Sequence, residues 1–126
     1  MSFNWESYIQ LADELIAYQK QPSILEAYYR SAISRAYYGV FCIARNFLIK
    51  KGISIPKENT HKFVREQYTN SSNWLEKKIG TDLSRLLLDR KNADYDDQPS
   101  IDVQRAKFAV QISKEIFKNL QKLGAI

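Results

Sequence analysis

The chain has 126 residues and a mass of 14.7 kDa; 44% of the residues are apolar, 13% aromatic and 26% charged, and the net charge is +5. That size fits one domain over residues 1–126, apolar enough to bury about two thirds of its unfolded surface and too poor in Gly and Pro for disorder. The charge is mild for a dedicated DNA-binding domain but uneven: Lys20, Arg30, Arg35 and Arg45 cancel Glu6, Asp13, Glu14 and Glu26, so the whole excess lies beyond residue 49.

Periodicity predicts helix almost throughout. Over residues 4–20, Trp5, Tyr8, Leu11, Leu15 and Tyr18 recur at spacings of three and four and form a core-facing stripe. Pro22 suits the first turn of a second helix, since its ring pre-sets φ and its missing N–H would have no intrahelical partner there. This helix runs to about Lys51, where Gly52 stops it. Two neighbouring stripes, one through Leu25, Tyr29, Ala32, Ala36, Val40, Ile43 and Phe47 and one through Ile33, Tyr37, Phe41, Ala44 and Leu48, cover too much circumference for a surface helix. The second helix is therefore predicted to be the central element, packed on two sides by the same chain or by a second copy. Cys42 lies inside it and reads as an inert core thiol.

After ISIPKEN, Asn59 or Thr60 is placed to cap a third helix through about Tyr68. The loop TNSSN then offers a Ser or Asn cap to a fourth, whose stripe of Leu75, Ile79, Leu83 and Leu86 continues through Arg90 and Ala93. Gly80 weakens this helix by about 1 kcal/mol relative to Ala and offers a place for it to break. In the last helix Ser100 is the expected cap, with Asp102 near the positive end of the dipole. Its inner face carries Val103, Ala106, Val110, Ser113, Phe117 and Leu120, and Lys107, Lys114, Lys118 and Lys122 form a solvated outer row. Five helices with short connections predict an all-α, up-and-down bundle.

Several chemistries are excluded. The apolar runs, such as YYGVFCIA, fall far short of the ~20 residues that span a membrane. With MSFNWESYIQ lacking a basic region before an apolar block, a cytoplasmic protein with no membrane contact is expected. One cysteine and one histidine give no disulfide and no zinc cluster, and no phosphate-cradling Gly-rich loop or G-x-S-x-G elbow occurs. Asp89, Asp94, Asp96 and Asp97 lack EF-hand spacing, so neither metal nor cofactor is expected.

The segment RKNADYDD, residues 90–97, carries the main candidate chemistry. Arg90 falls on the inward stripe of its helix, and a half-buried guanidinium needs a partner because an unpaired buried charge costs several kcal/mol. Asp94, at i+4, can supply the carboxylate. The pair reads either as a helix-end ion pair or as a fixed five-donor fork suited to phosphate. His61, at the start of the third helix, reads as a surface or capping residue, yet it is the only imidazole available to any mechanism.

Three strings in this order, SAISRAYYGVFCIARNFLIKKG (31–52), THKFVREQY (60–68) and LSRLLLDRKNADYD (83–96), resemble the HEPN domains, the higher-eukaryote and prokaryote nucleotide-binding helical domains. The similarity is to the small stand-alone bacterial and archaeal branch with a late R-x-x-A-D-Y motif, and it covers about residues 5–123. It implies a four- or five-helix bundle that dimerises about a two-fold axis and joins two copies of the late motif in one cleft. It also implies a metal-independent ribonuclease, often a toxin beside a minimal nucleotidyltransferase antitoxin, whose motif is an arginine, four to six residues, then a histidine. Here four intervening residues after Arg90 lead to Tyr95 and six lead to Asp97, neither a histidine, so the motif is degenerate.

On this resemblance Arg90 binds phosphate, Asp94 orients it, and Tyr95 replaces the histidine as hydrogen-bond donor. Lys91, Asn92, Arg35 and Tyr38 are the expected RNA or nucleotide contacts, the last two from a polar-aromatic stripe that includes Tyr28 and Ser31. Two other readings stand beside the ribonuclease. One is a non-catalytic dimer that binds RNA, a nucleotide or a nucleotidyltransferase partner; the other is a helical dimer whose motif only stabilises the bundle.

Overall fold

The computed structural model describes residues 2–18 and 21–126, and among these every regular element is helical. The helices are α1 (Glu6–Ala17), α2 (Leu25–Lys50, entered through one 3-10 turn at Pro22–Ile24), α3 (Thr60–Thr69), α4 (Trp74–Tyr95) and α5 (Val103–Lys122). As its double stripe predicts, α2 is central: it packs against α1, α4 and α5, while α3 lies mainly on α4. Both stripes bury their middle residues, from Ala32 and Ile33 through Tyr37 and Val40 to Phe47 and Leu48. Gly52, at φ 90, ends the chain's run beyond α2 in the left-handed region that glycine tolerates. Cys42 is a buried free thiol, and burial pushes its pKa up, as an inert core residue requires.

Four local expectations are corrected. In α1 the buried residues are Ile9, Ala12 and Ile16, one position round from the expected stripe, and Leu11 and Tyr18 are exposed. The cause is a close crossing at Gly39 of α2, where an added Cβ would lie 3.0 Å from the Trp5 carbonyl oxygen and 3.1 Å from Ile9 Cγ1. The larger rings stay at the rim, where Phe3, Trp5 and Tyr8 stack edge to face. Residues 19 and 20, to which the expected first helix extended, lie outside the described residues.

Neither Asn59 nor Thr60 caps α3 through its side chain. Asn59 adopts φ 55 at the turn into the helix, and the Thr60 hydroxyl donates backwards to the carbonyls of Pro56 and Lys57. The fourth helix is capped as expected, by Asn73, whose Oδ1 accepts from the N–H groups of Leu75 and Glu76. It does not break at Gly80, however. A Cβ there would lie 2.5 Å from Thr69 Cγ2 and 2.6 Å from Thr69 N, so the glycine lets the end of α3 rest directly on α4. Finally, Asp102 rather than Ser100 caps α5, accepting from Arg105 N at 2.9 Å. The start is displaced because Ile101 is buried and its N–H donates to Glu26 Oε2 at 3.2 Å, which ties that residue to α2 before the helix begins.

Candidate functional site

The segment after Arg90 is held by a residue of α2. Arg30 Nη1 donates to the carbonyl oxygens of Asn92, Ala93 and Asp96 at 3.1, 2.9 and 2.7 Å, and its Nε donates to Glu26 Oε2 at 2.9 Å. The last carbonyls of a helix have no intrahelical donor, and a guanidinium there also complements the negative end of the dipole. Glu26 in turn accepts from Arg30 and from Ile101 N–H, contacts that hold its carboxyl below the usual range. The α4–α5 connection is thus fastened to α2 at two points. Arg30→Ala is expected to lower stability by about 2–3 kcal/mol, read as a fall in the urea midpoint with the slope unchanged.

Arg90 sits on the inward stripe as its helical phase requires, only 7% exposed. Its Nη1 donates to Asp94 Oδ2 at 3.3 Å, and the same oxygen accepts from Ser34 Oγ at 3.3 Å. The guanidinium carbon lies 5.3, 5.6 and 5.7 Å from the ring centres of Tyr38, Tyr37 and Tyr95. These rings stabilise the cation and restrict its plane. Its Nε is buried and has no hydrogen-bond partner among the described residues. An unsatisfied buried donor costs about 1–3 kcal/mol, more when charged, which makes the fork a place where an outside acceptor would be welcome.

Beside it stands His61. Its Nδ1 is 2.6 Å from the Tyr37 hydroxyl, and its ring stacks on Phe41 with centres 4.1 Å apart. Burial lowers the imidazole pKa, and the charges of Arg90, Arg65 and Lys91 lower it further. Burial also pushes the Tyr37 phenol up, so that hydroxyl stays neutral while it holds the ring. At pH 7 His61 is therefore a neutral imidazole fixed through one nitrogen.

Arg90 and His61 line one cleft of about 620 Å³ between α2, α3 and α4. Arg45, Lys57, Lys62, Arg65 and Lys91 line it too, and among the described residues no Asp or Glu does. A broader groove of about 700 Å³ runs between α4 and α5 past Arg85, Asp89, Arg105 and Phe108. It mixes charge signs, and none of the unpaired buried polar atoms among the described residues belongs to it. The cationic cleft is the better candidate on both counts. Among the described residues no group of three His, Cys, Asp or Glu side chains could hold a metal ion.

A family model for the HEPN domain matches residues 6–123, nearly the whole chain. The chain belongs to the HEPN family. Comparison with curated proteins finds no match.

Of the residues expected at the HEPN site, the structure brings Arg90, Lys91 and Tyr38 together in the cleft and sets Asp94 behind Arg90. Tyr95 is the last residue of α4, 74% exposed, and meets Arg90 at the margin of the cleft, its ring centre 5.7 Å from the guanidinium carbon. Asn92 contributes its backbone carbonyl to Arg30 and does not line the cleft. Arg35 is elsewhere: its guanidinium lies 5.1 Å from the ring centre of Tyr8, on the α1 side of α2. The stripe that joins it to Tyr38 turns away from the cleft within one helical turn. Sequence reasoning missed Arg30 and Arg65 and undervalued His61. A usable signal existed, since His61 and Arg65 are four apart and Tyr38 and Arg45 seven apart, each pair on one helix face.

Proposed function

We propose that this HEPN protein is a metal-independent endoribonuclease in which His61, delivered from α3, does the work of the histidine missing after Arg90. The observation that carries the reading is the pairing of a buried, partly unsatisfied guanidinium with a neutral imidazole in one acid-free cationic cleft. Family membership supports it. Arg90 binds the scissile phosphate and stabilises the charge that builds on its oxygens, and Asp94 orients Arg90. His61, with Nδ1–H donating to the Tyr37 oxygen, offers Nε2 to the RNA 2′-OH. The 2′-oxygen attacks phosphorus, the bond to the 5′-oxygen breaks, and that oxygen takes a proton from solvent. The products are a 2′,3′-cyclic phosphate and a free 5′-OH. Tyr95, which the linear motif nominates, is 74% exposed and does not line the cleft, so it is not placed for the proton transfer.

The working unit is a cytoplasmic homodimer. HEPN domains commonly dimerise, and Leu88 and Tyr95, seven apart on one face of α4, are 60% and 74% exposed. The R-x-x-A-D-Y segment supports a place as the toxin-like member of a pair with a minimal nucleotidyltransferase. The test is to incubate the purified chain with single-stranded RNA in EDTA and examine the ends: cyclic phosphates support the reading. RNA that is bound but never cut, even at high protein concentration, removes the enzyme and leaves the non-catalytic binding dimer.

A further inference from the structure

Arg90 is not alone in reaching the cleft with an unpartnered guanidinium nitrogen. Arg65 Nε is also buried and, among the described residues, without a hydrogen-bond partner. Arg65 lies one turn beyond His61 on α3 and therefore on the same face. Its Nη1 donates to Ser84 Oγ at 3.3 Å, and Ser84 Oγ donates to the Gly80 carbonyl at 3.0 Å. These bonds fix the guanidinium across the α3–α4 seam without neutralising it, because among the described residues no carboxylate is paired with it. Arg45 approaches from α2, with its Nε donating to Asn46 Oδ1 at 3.1 Å and, likewise, no carboxylate partner among the described residues. Arg90, by contrast, already has Asp94. One phosphodiester carries a single negative charge, which leaves the Arg65 end of the cleft uncompensated when Arg90 is occupied. Grouped cations with no counter-ion are unfavourable unless an anion from outside completes them.

We infer that Arg65, with Arg45, forms a second phosphate subsite beside the His61–Arg90 centre, so that the cleft takes a strand with at least two successive phosphates. The rise of about 6 Å from His61 to Arg65 along α3 suits the step between neighbouring phosphates of one strand. The inference rests on the proposed ribonuclease reading and narrows its substrate to a polynucleotide, excluding mononucleotides and dinucleoside monophosphates as good ligands. Arg65 acts on binding of the flanking phosphate; because its charge also opposes protonation of His61, kcat is compared at pH 8, on the plateau where the imidazole is neutral.

The test uses the full chain in EDTA with a mixed-sequence 12-nucleotide RNA and a set of dinucleoside monophosphates. Arg65→Gln should raise KM for the 12-mer about tenfold, keep kcat within about twofold and leave the dinucleoside monophosphates unchanged. Arg65→Lys should recover part of the loss. The slope of log affinity against log salt should become shallower by about 0.7, the value for one lost phosphate contact on a single strand. A measurement on the unaltered protein guards against misfolding of the variants: adding a terminal phosphate to a dinucleoside monophosphate, at the 5′ or the 3′ end, should tighten binding about tenfold at one of the two ends. An unchanged KM and salt slope in Arg65→Gln, with Arg90→Ala still inactive, overturns the subsite and spares the ribonuclease. Equal losses on long and short substrates also overturn it, because they place Arg65 at the reacting phosphate. Wild-type cleavage by both Arg90→Ala and Arg65→Gln shows instead that the underlying reading has failed.

Discussion

Arg90→Ala is expected to lower RNA cleavage by about a hundredfold or more, the usual consequence of removing a donor aimed at developing phosphoryl or oxyanion charge. The substitution removes a buried guanidinium held in a fixed plane by Asp94 and the rings of Tyr37, Tyr38 and Tyr95. Arg90→Lys should rescue little, since an ammonium is a point charge and cannot offer two parallel donors. Stability falls as well, because Asp94 loses its cation and a large side chain leaves a packed site, so the variants must be compared at a temperature where both are folded. Cleavage and RNA binding at wild-type levels, together with a lowered melting temperature, would assign Arg90 to bundle stability alone.

His61→Ala should reduce cleavage by about a hundredfold to ten-thousandfold with RNA affinity nearly intact, because it removes a proton acceptor and leaves the cations in place. The pH dependence follows from the lowered imidazole pKa. Cleavage should stay on its plateau at pH 7 and fall only below about 6.5, the ordinary histidine value, as His61 becomes protonated. Folding is linked to the same group. The folded protein favours the neutral ring, so this contribution to stability is complete above about pH 6.5 and is lost as the pH drops from there through the lowered folded value. Arg90, Arg65 and Lys91 all face the ring and all oppose its protonation. A pH–rate profile from 5 to 8, paired with urea titrations at each pH, measures both effects. An acid limb centred above 6.5, or one that survives in His61→Ala, would contradict this assignment.

The five helices were legible because their apolar spacing is strong and the turns carry Pro, Gly and Asn. What the sequence could not reveal was mostly rotation and reach. In α1 the apolar set is wide enough to contain two stripes, and only the crossing at Gly39 decides that Ile9, Ala12 and Ile16 face inward. Gly80 reads locally as a helix breaker, yet it is there for Thr69 of another helix. The inward phase of Arg90 and its bond to Asp94 were legible, since both lie on one helix at i and i+4. His61 was not, because its value comes from Tyr37, 24 residues earlier on a different helix. Arg30 escaped for the same reason: it serves carbonyls more than 60 residues away, and a linear motif records no such contact.

The central claim is that Arg90 and His61 converge on one phosphodiester. It is tested most directly by nuclear magnetic resonance of the full chain titrated with a 2′-O-methyl RNA, which binds but cannot be cleaved. The Arg90 Nε–H signal and the His61 ring signals should move together and saturate with the same affinity. Saturation by RNA with both sets of signals unmoved, or no binding at all, would contradict the account.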